Sequence, residues 1–298
     1  MRRFESLRRM PALVKSFPSK LLKYRVASTD ASVVMHKDSL QDPHSFWGTI
    51  SDDIKWIKKP EKTLDSSKAP MYRWFPGGLI NTCYNCLDRH VEEGFGDQVA
   101  IIYDSPVTST IRKITYSELT EEVMNFAGLM VESGVKTGDR VIIYMPNSAE
   151  AAIAMLACAR IGAIHSVVFG GFAAHELATR IRDCKPSMII CSTCGIDASK
   201  VIEYKPLVDE AIELAKDSHS VEKCIVYQRK EHTSSMVAGR DIDWVEGLKT
   251  VKNPVRECVP LDSSHPLYIL YTSGTTGSPK GTLSALFPTY ISQIYKLE

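Results

Sequence analysis

From about residue 97 the chain settles into a regular alternation of two apolar patterns. Short runs rich in Val, Ile and Tyr fall at 99–103, 140–145, 165–169, 188–192, 223–228 and 267–271, and each has the length and composition of a strand. The stretch 111–116 is placed to pair with the first run across the turn at Ser105-Pro106. Between the strands, apolar positions recur every three or four residues. Leu119, Val123, Phe126 and Met130 share one helical face, opened by Thr115 and Glu118 in capping-box spacing and closed near Gly134. Further helices are predicted at 149–161, 173–184, 206–216 and 242–249. Strands alternating with helices imply an α/β fold: a mainly parallel sheet flanked by helices.

Residues 30–90 follow neither rhythm. They hold Phe46-Trp47, Trp56 and Trp74-Phe75, with no strand pattern, and read as a helical and irregular extension that packs aromatic anchors. Over the whole chain, 44% hydrophobic and 24% charged residues describe a globular protein, and a net charge of +1 gives no reason to expect nucleic acid. No apolar stretch is long enough for a membrane-spanning helix. Within residues 1–29, however, eight Lys and Arg stand against the single acid Glu5. An Arg-rich, acid-poor N-terminus reads as a mitochondrial transit peptide, which places the protein in the matrix; a basic tail is the alternative. In that reducing compartment the eight cysteines are expected as free thiols. The spacings Cys83-x-x-Cys86 and Cys191-x-x-Cys194 raise a zinc site, but they are too far apart in sequence for a zinc ribbon, so no metal site is expected.

The richest candidate chemistry is Tyr271-Thr272-Ser273-Gly274-Thr275-Thr276-Gly277-Ser278-Pro279-Lys280-Gly281, directly after the apolar run at 267–270. Glycines bring the backbone close to phosphate oxygens, hydroxyls and amides donate to them, and Lys280 supplies a point charge. It is not a Walker A loop, because Pro279 precedes the lysine and Gly281 follows it. Gly170-Gly171 lies between a strand and a helix, where it either admits a ligand or makes a tight turn. His165, His175 and His265 have no nucleophile at a partnering spacing and are expected to be structural.

The eleven-residue run resembles the phosphate loop of AMP-forming acyl-CoA synthetases. Phe46-Trp47, Arg73-Trp74-Phe75 and Asp88-Arg89-His90 resemble the N-terminal extension of the acetyl- and propionyl-CoA enzymes, and 159–172 resembles their short-chain branch. That resemblance spans about residues 38–281. It implies a transit peptide at 1–29, an extension at 30–90, a partial AMP-binding domain at 91–281 and a divergent tail at 282–298. It also implies activation of propionate or acetate by ATP with Mg²⁺, then transfer to CoA. Thr272, Ser273, Gly274, Thr275, Thr276, Gly277 and Lys280 would bind the ATP phosphates. Gly170, Gly171, Asp197, Ala198, Ser199 and Lys200 would border CoA. Typical acetate enzymes carry arginines at the positions of Asp197 and Lys200; propionate-type members carry an acid at the first. The family's acyl pocket and the C-terminal domain with its adenylation lysine follow the loop and are not matched here. No catalytic residue is therefore expected, and the chain alone is expected to be inactive. The alternative is a nucleotide-binding or regulatory piece that associates with the full-length enzyme.

Overall fold

The computed structural model describes residues 29–197, 200–272 and 279–285. The basic N-terminal run and the tail beyond Ala285 lie outside the described residues. The chain divides into two compact units, residues up to 55 with 60–77, and residues 56–59 with 78 onward.

The first unit is the aromatic extension. It holds α1 (Thr29–Gln41), α2 (Pro43–Ser51) and a two-residue ladder of β1 (Leu64–Asp65) with β2 (Arg73–Trp74). Asp42 caps α2 by accepting from the Ser45 amide at 3.0 Å, and Pro43 sits in the first turn, where its missing N–H costs nothing. Trp47 meets Phe46 and Trp74 edge-on, with centroids 5.0 and 6.0 Å apart.

The second unit starts with β3 (Leu79–Ile80), α3 (Thr82–Cys86) and α4 (Asp88–His90). The hairpin β4 (Val99–Ser105) and β5 (Thr110–Thr115) follows, then α5 (Tyr116–Glu132). The Thr115–Glu118 capping box forms in both directions, and Gly134 takes φ +101° just past the helix end. Next come β6 (Arg140–Met145), α6 (Ala149–Ile161), β7 (Ile164–Phe169), α7 (Ala174–Cys184), β8 (Met188–Ser192), and the hairpin β9 (Cys194–Asp197) with β10 (Lys200–Glu203). The rest is α8 (Tyr204–Ala215), β11 (Lys223–Tyr227), β12 (Asp241–Asp243), α9 (Trp244–Thr250), β13 (Leu261–Asp262), β14 (Pro266–Thr272) and β15 (Lys280–Ala285).

Seven of these strands form one sheet in the order β12-β11-β8-β6-β7-β14-β15, parallel throughout except for β15. Ile142, Tyr144, Ile189 and Cys191 pack with α7 and α8 on one face. By the two-residue alternation of a strand, Val141 and Ile143 point to the other face, where α6 packs on β6. Central strands β6 and β8 are buried almost along their length, which is why they read as continuous apolar runs. Burial falls away at β14 and β15, where Leu270 and Leu283 are exposed.

One predicted element is corrected. The helix expected at 242–249 divides into β12 and α9. Asp243 accepts from the Val245 and Glu246 amides, both at 2.9 Å, and so caps α9 from an extended conformation. The residues before a cap of that kind are free to be a strand, and here they pair with β11.

Candidate functional site at the carboxyl edge of the sheet

The chain runs from β6 to β7 on one side, then returns past β6 to β8 on the other. The loops after β7, β8 and β14 all leave the same carboxyl edge, because those strands are parallel. Open α/β sheets bind ligands at this edge. The three segments singled out from sequence are those three loops.

After β14 the chain turns back into β15, and Thr272 and Lys280 are partners across the base of that hairpin. Both are exposed. Lys280 has no ion-pair or hydrogen-bond partner among the described residues. Ser273, Gly274, Thr275, Thr276 and Gly277 lie outside the described residues. The hairpin base is braced from α7. Tyr271 donates its hydroxyl to Asp183 Oδ2 at 2.6 Å, and burial, followed by this bond, raises the Tyr271 pKa. A Cβ on Gly281 would lie 3.2 Å from the Tyr271 ring and 3.3 Å from that same carboxylate oxygen, so a glycine suits the close approach.

The Gly170–Gly171 turn joins β7 to α7, and neighbouring rings account for both glycines. A Cβ on Gly170 would stand 2.5 Å from the Tyr204 ring; one on Gly171 would stand 2.6 Å from the Phe169 ring. Tyr204 is wedged from the other side by Gly195, whose Cβ would fall 2.1 Å from the hydroxyl. The adjacent Phe172 carries the guanidinium of the buried Arg180 over its ring at 4.7 Å, and the same guanidinium lies 5.3 Å from the Tyr271 ring. Arg180 thus joins the glycine turn to the base of the β14–β15 hairpin.

The third segment is the β9–β10 hairpin. Asp197 and Lys200 are Cα partners at its tip, both exposed; Ala198 and Ser199 lie outside the described residues. Neither the Asp197 nor the Lys200 side chain has a hydrogen-bond or ion-pair partner among the described residues.

Sequence reasoning missed Arg180, Asp183 and Tyr204, whose partners lie far along the chain. It also missed a cavity of about 320 Å³ beneath the β4–β5 hairpin, lined by Tyr103, Arg112, Ser148, Ser192, Tyr227 and Arg229. Its arginines are committed to local acids: Arg112 to Glu122 and Glu150, and Arg229 to Glu231 at 3.3 Å. The cavity also carries Lys230, exposed and without an ion-pair partner among the described residues; it is the joint presence of glycines, hydroxyls and the cations Lys200 and Lys280 that marks the three loops as the candidate site.

Two of the three histidines are placed as supports. His165 is buried against Tyr268, and burial lowers its pKa to about 4; its Nδ1 has no partner among the described residues. His265 Nε2 lies 3.0 Å from the Gly162 carbonyl. His175 lies on α7. Among the described residues, the one cluster of metal-ligand type is Cys83, Asp88 and Cys258, none of which belongs to these loops.

A mostly parallel, doubly wound sheet with three loops at its carboxyl edge defines the α/β class of protein. Residues 87–286 match the family described as AMP-binding enzyme, and 34–86 match the acetyl-coenzyme A synthetase N-terminus; the chain belongs to the AMP-binding enzyme family. It is 48% identical over 246 residues to the human mitochondrial acyl-CoA synthetase short-chain family member 3, covering 82% of this chain and 35% of that protein. It is 44% identical over 259 residues to acetyl-coenzyme A synthetase of Streptomyces coelicolor, covering 86% and 39%. The fold is shared with acetoacetyl-CoA synthetase from Streptomyces lividans, at TM-score 0.77 and 24% identity over 88% of this chain and 39% of that one. The chain therefore spans 35% and 39% of the two curated relatives.

Proposed function

We propose that these residues serve AMP-forming activation of a short carboxylate, propionate or acetate, in the mitochondrial matrix. The carboxylate attacks the α-phosphate of ATP, giving an acyl-adenylate and pyrophosphate. The CoA thiol then displaces AMP. The observation that carries the reading is the pairing of Thr272 with Lys280 across the base of a loop rich in glycines and hydroxyls, with Lys280 having no ion-pair or hydrogen-bond partner among the described residues.

In this reading Thr272 and Lys280, with Ser273, Gly274, Thr275, Thr276 and Gly277, hold the β- and γ-phosphates. Mg²⁺ bound with ATP spreads the developing charge. The work of this stretch is positioning and charge neutralisation rather than covalent chemistry. The exposed hydroxyl and ammonium at the hairpin base are a donor set that fits a polyphosphate. Lys200 and the Gly170–Gly171 turn border CoA, with Asp197 giving the propionate-type character at the hairpin tip.

Binding is the appropriate readout for a chain of this coverage. Isothermal titration of the 298-residue protein with Mg·ATP and with pyrophosphate is expected to show binding that weakens on Lys280→Ala. Affinity unchanged by that substitution would overturn the phosphate assignment. Propionyl-CoA formation by the purified chain would overturn the expectation that it is inactive alone.

A further inference from the structure

Sequence spacing pairs Cys83 with Cys86, and the fold brings Cys258 beside it as well. The α3 helix turns Cys83 inward, where it is fully buried, toward the segment between α9 and β13 that carries the half-buried Cys258. The two sulfurs and a carboxylate oxygen of Asp88 lie within 4.8 Å of one another. The Cys258 thiol donates to Asp88 Oδ2 at 3.7 Å, with Cys83 Sγ beside it.

Three ligand atoms at that spacing invite a metal, but Arg160 stands against it. Its guanidinium is fully buried, donates to both Asp88 oxygens at 2.8 and 2.9 Å, and reaches Cys83 Sγ at 3.4 Å. A divalent cation would have to sit against this fixed positive charge while taking its carboxylate. What remains is a pair of neighbouring thiols from segments far apart in sequence.

We propose that Cys83 and Cys258 are a modification site, oxidised by a peroxide to a disulfide that staples the segment between α9 and β13 to α3. Both S–H bonds and the peroxide O–O bond break, and one S–S bond forms. The sulfurs give up two electrons, which reduce the peroxide, and both protons leave on two waters. Cys258, half-buried where Cys83 is fully buried, is the more accessible of the two sulfurs and meets the oxidant first, and Cys83 resolves it. Its burial shields Cys83 from over-oxidation. The neighbouring Cys83 thiol, then burial, raises the Cys258 pKa, so little thiolate is present at neutral pH and the reaction quickens as pH rises. The stapled segment is one the fold already holds: Val255 and Arg256 carbonyls accept from Arg160, and the Val259 carbonyl accepts from Asn81 at 2.9 Å.

The test is peroxide treatment of the intact 298-residue protein at several pH values, alkylation in denaturant, and mass spectrometry of the unreduced digest. The expected product is a cross-linked peptide pair joining Cys83 to Cys258, two hydrogens lighter than the free pair and released by dithiothreitol. It should form faster at higher pH and be lost in Cys258→Ser and in Cys258→Ala. Either variant suffices if the other fails to fold, since the wild type carries the positive result. Cys83 and Cys258 both recovered alkylated, Cys83 linked instead to Cys86, or Cys258 recovered only as sulfinic acid would each overturn the proposal.

Discussion

The buried cations and the cations at the sheet's carboxyl edge are treated in opposite ways. Arg160 is fully buried and spends its guanidinium on both oxygens of Asp88, on the Cys83 sulfur and on the Val255 and Arg256 carbonyls. Lys205 is as deeply placed and is held by both oxygens of Asp209 at 2.7 Å and by Asp241 at 2.9 Å. Lys200 and Lys280, by contrast, are exposed and have no partner among the described residues. An ion taken out of water must be paired to survive there, whereas one left in water keeps its charge available to an arriving anion. The difference separates the charges that hold this fold from those that can serve a ligand.

Removing a buried cation should break the comparison most severely. Arg160→Met leaves the Asp88 carboxylate, only 12% exposed, without its fork of donors. A loss of about 3–5 kcal/mol is expected, read as a lower urea midpoint. Arg160→Lys should recover little of it, because a point charge cannot reproduce the bidentate geometry or reach the Val255 and Arg256 carbonyls together.

The second cluster should reveal itself through pH. Burial works to raise the Asp241 pKa, but hydrogen bonds from Arg240 and Lys205 outweigh it, and the net shift is downward. A lowered carboxyl pKa adds stability that is fully present above the ordinary value of 3.8 and is lost as pH falls through the folded-state value. Lys205 is the mirror case. Burial pulls its pKa down, Asp209 and Asp241 more than offset this, and its stabilising share disappears only as pH rises past 10.5. Asp241→Asn should therefore flatten the acid limb of the stability curve below about pH 4, and cost about 2–4 kcal/mol at neutral pH by leaving Lys205 and Arg240 less paired. Urea titrations from acid to neutral pH check both. An acid limb identical to wild type would sink the assignment.

A smaller effect tests the junction beneath the site. Gly195→Ala puts a methyl 2.1 Å from the Tyr204 hydroxyl and 2.4 Å from its ring carbon. The clash is expected to cost about 1–3 kcal/mol. The double variant with Tyr204→Phe should recover part of that cost, since the nearest atom is the hydroxyl oxygen. A double variant no more stable than the single would show that the ring, not the hydroxyl, sets the limit.

These cases also show what the chain discloses before folding. The sheet was legible because β6, β8 and β11 are buried on both faces and carry uninterrupted apolar runs. The Thr115–Glu118 box was legible because a cap is a local interaction. The β9–β10 hairpin was missed as a hairpin: its strands are four residues each and lack a strong apolar pattern. The glycine turn was seen, but the reason for Gly170 lay in Tyr204, which nothing at that position announces. Likewise the Tyr271–Asp183 bond spans 88 residues, and Cys83 clusters with Asp88 and with Cys258, which lies far along the chain. Periodicity reports which face of an element is buried; it is silent on which distant side chain buries it.

The smallest stability effect is the most telling for function. Lys280→Ala and Lys200→Ala remove exposed charges with no described partner, so each should change stability by no more than about 0.5 kcal/mol. A charge-assisted hydrogen bond to phosphate is worth about 1.5–3 kcal/mol, so Lys280→Ala should weaken pyrophosphate binding by roughly tenfold or more. Lys200→Ala, on a different loop, should leave pyrophosphate affinity unchanged and weaken CoA instead. Added salt should erode both affinities, because exposed charges are screened. Paired urea and calorimetric titrations of the two variants separate the possibilities. If Lys280→Ala unfolds the protein, its charge belongs with Arg160 and Lys205 as part of the scaffold. If both variants fold and bind like wild type, lack of a partner at this edge reflects ordinary solvation and not readiness for a phosphate.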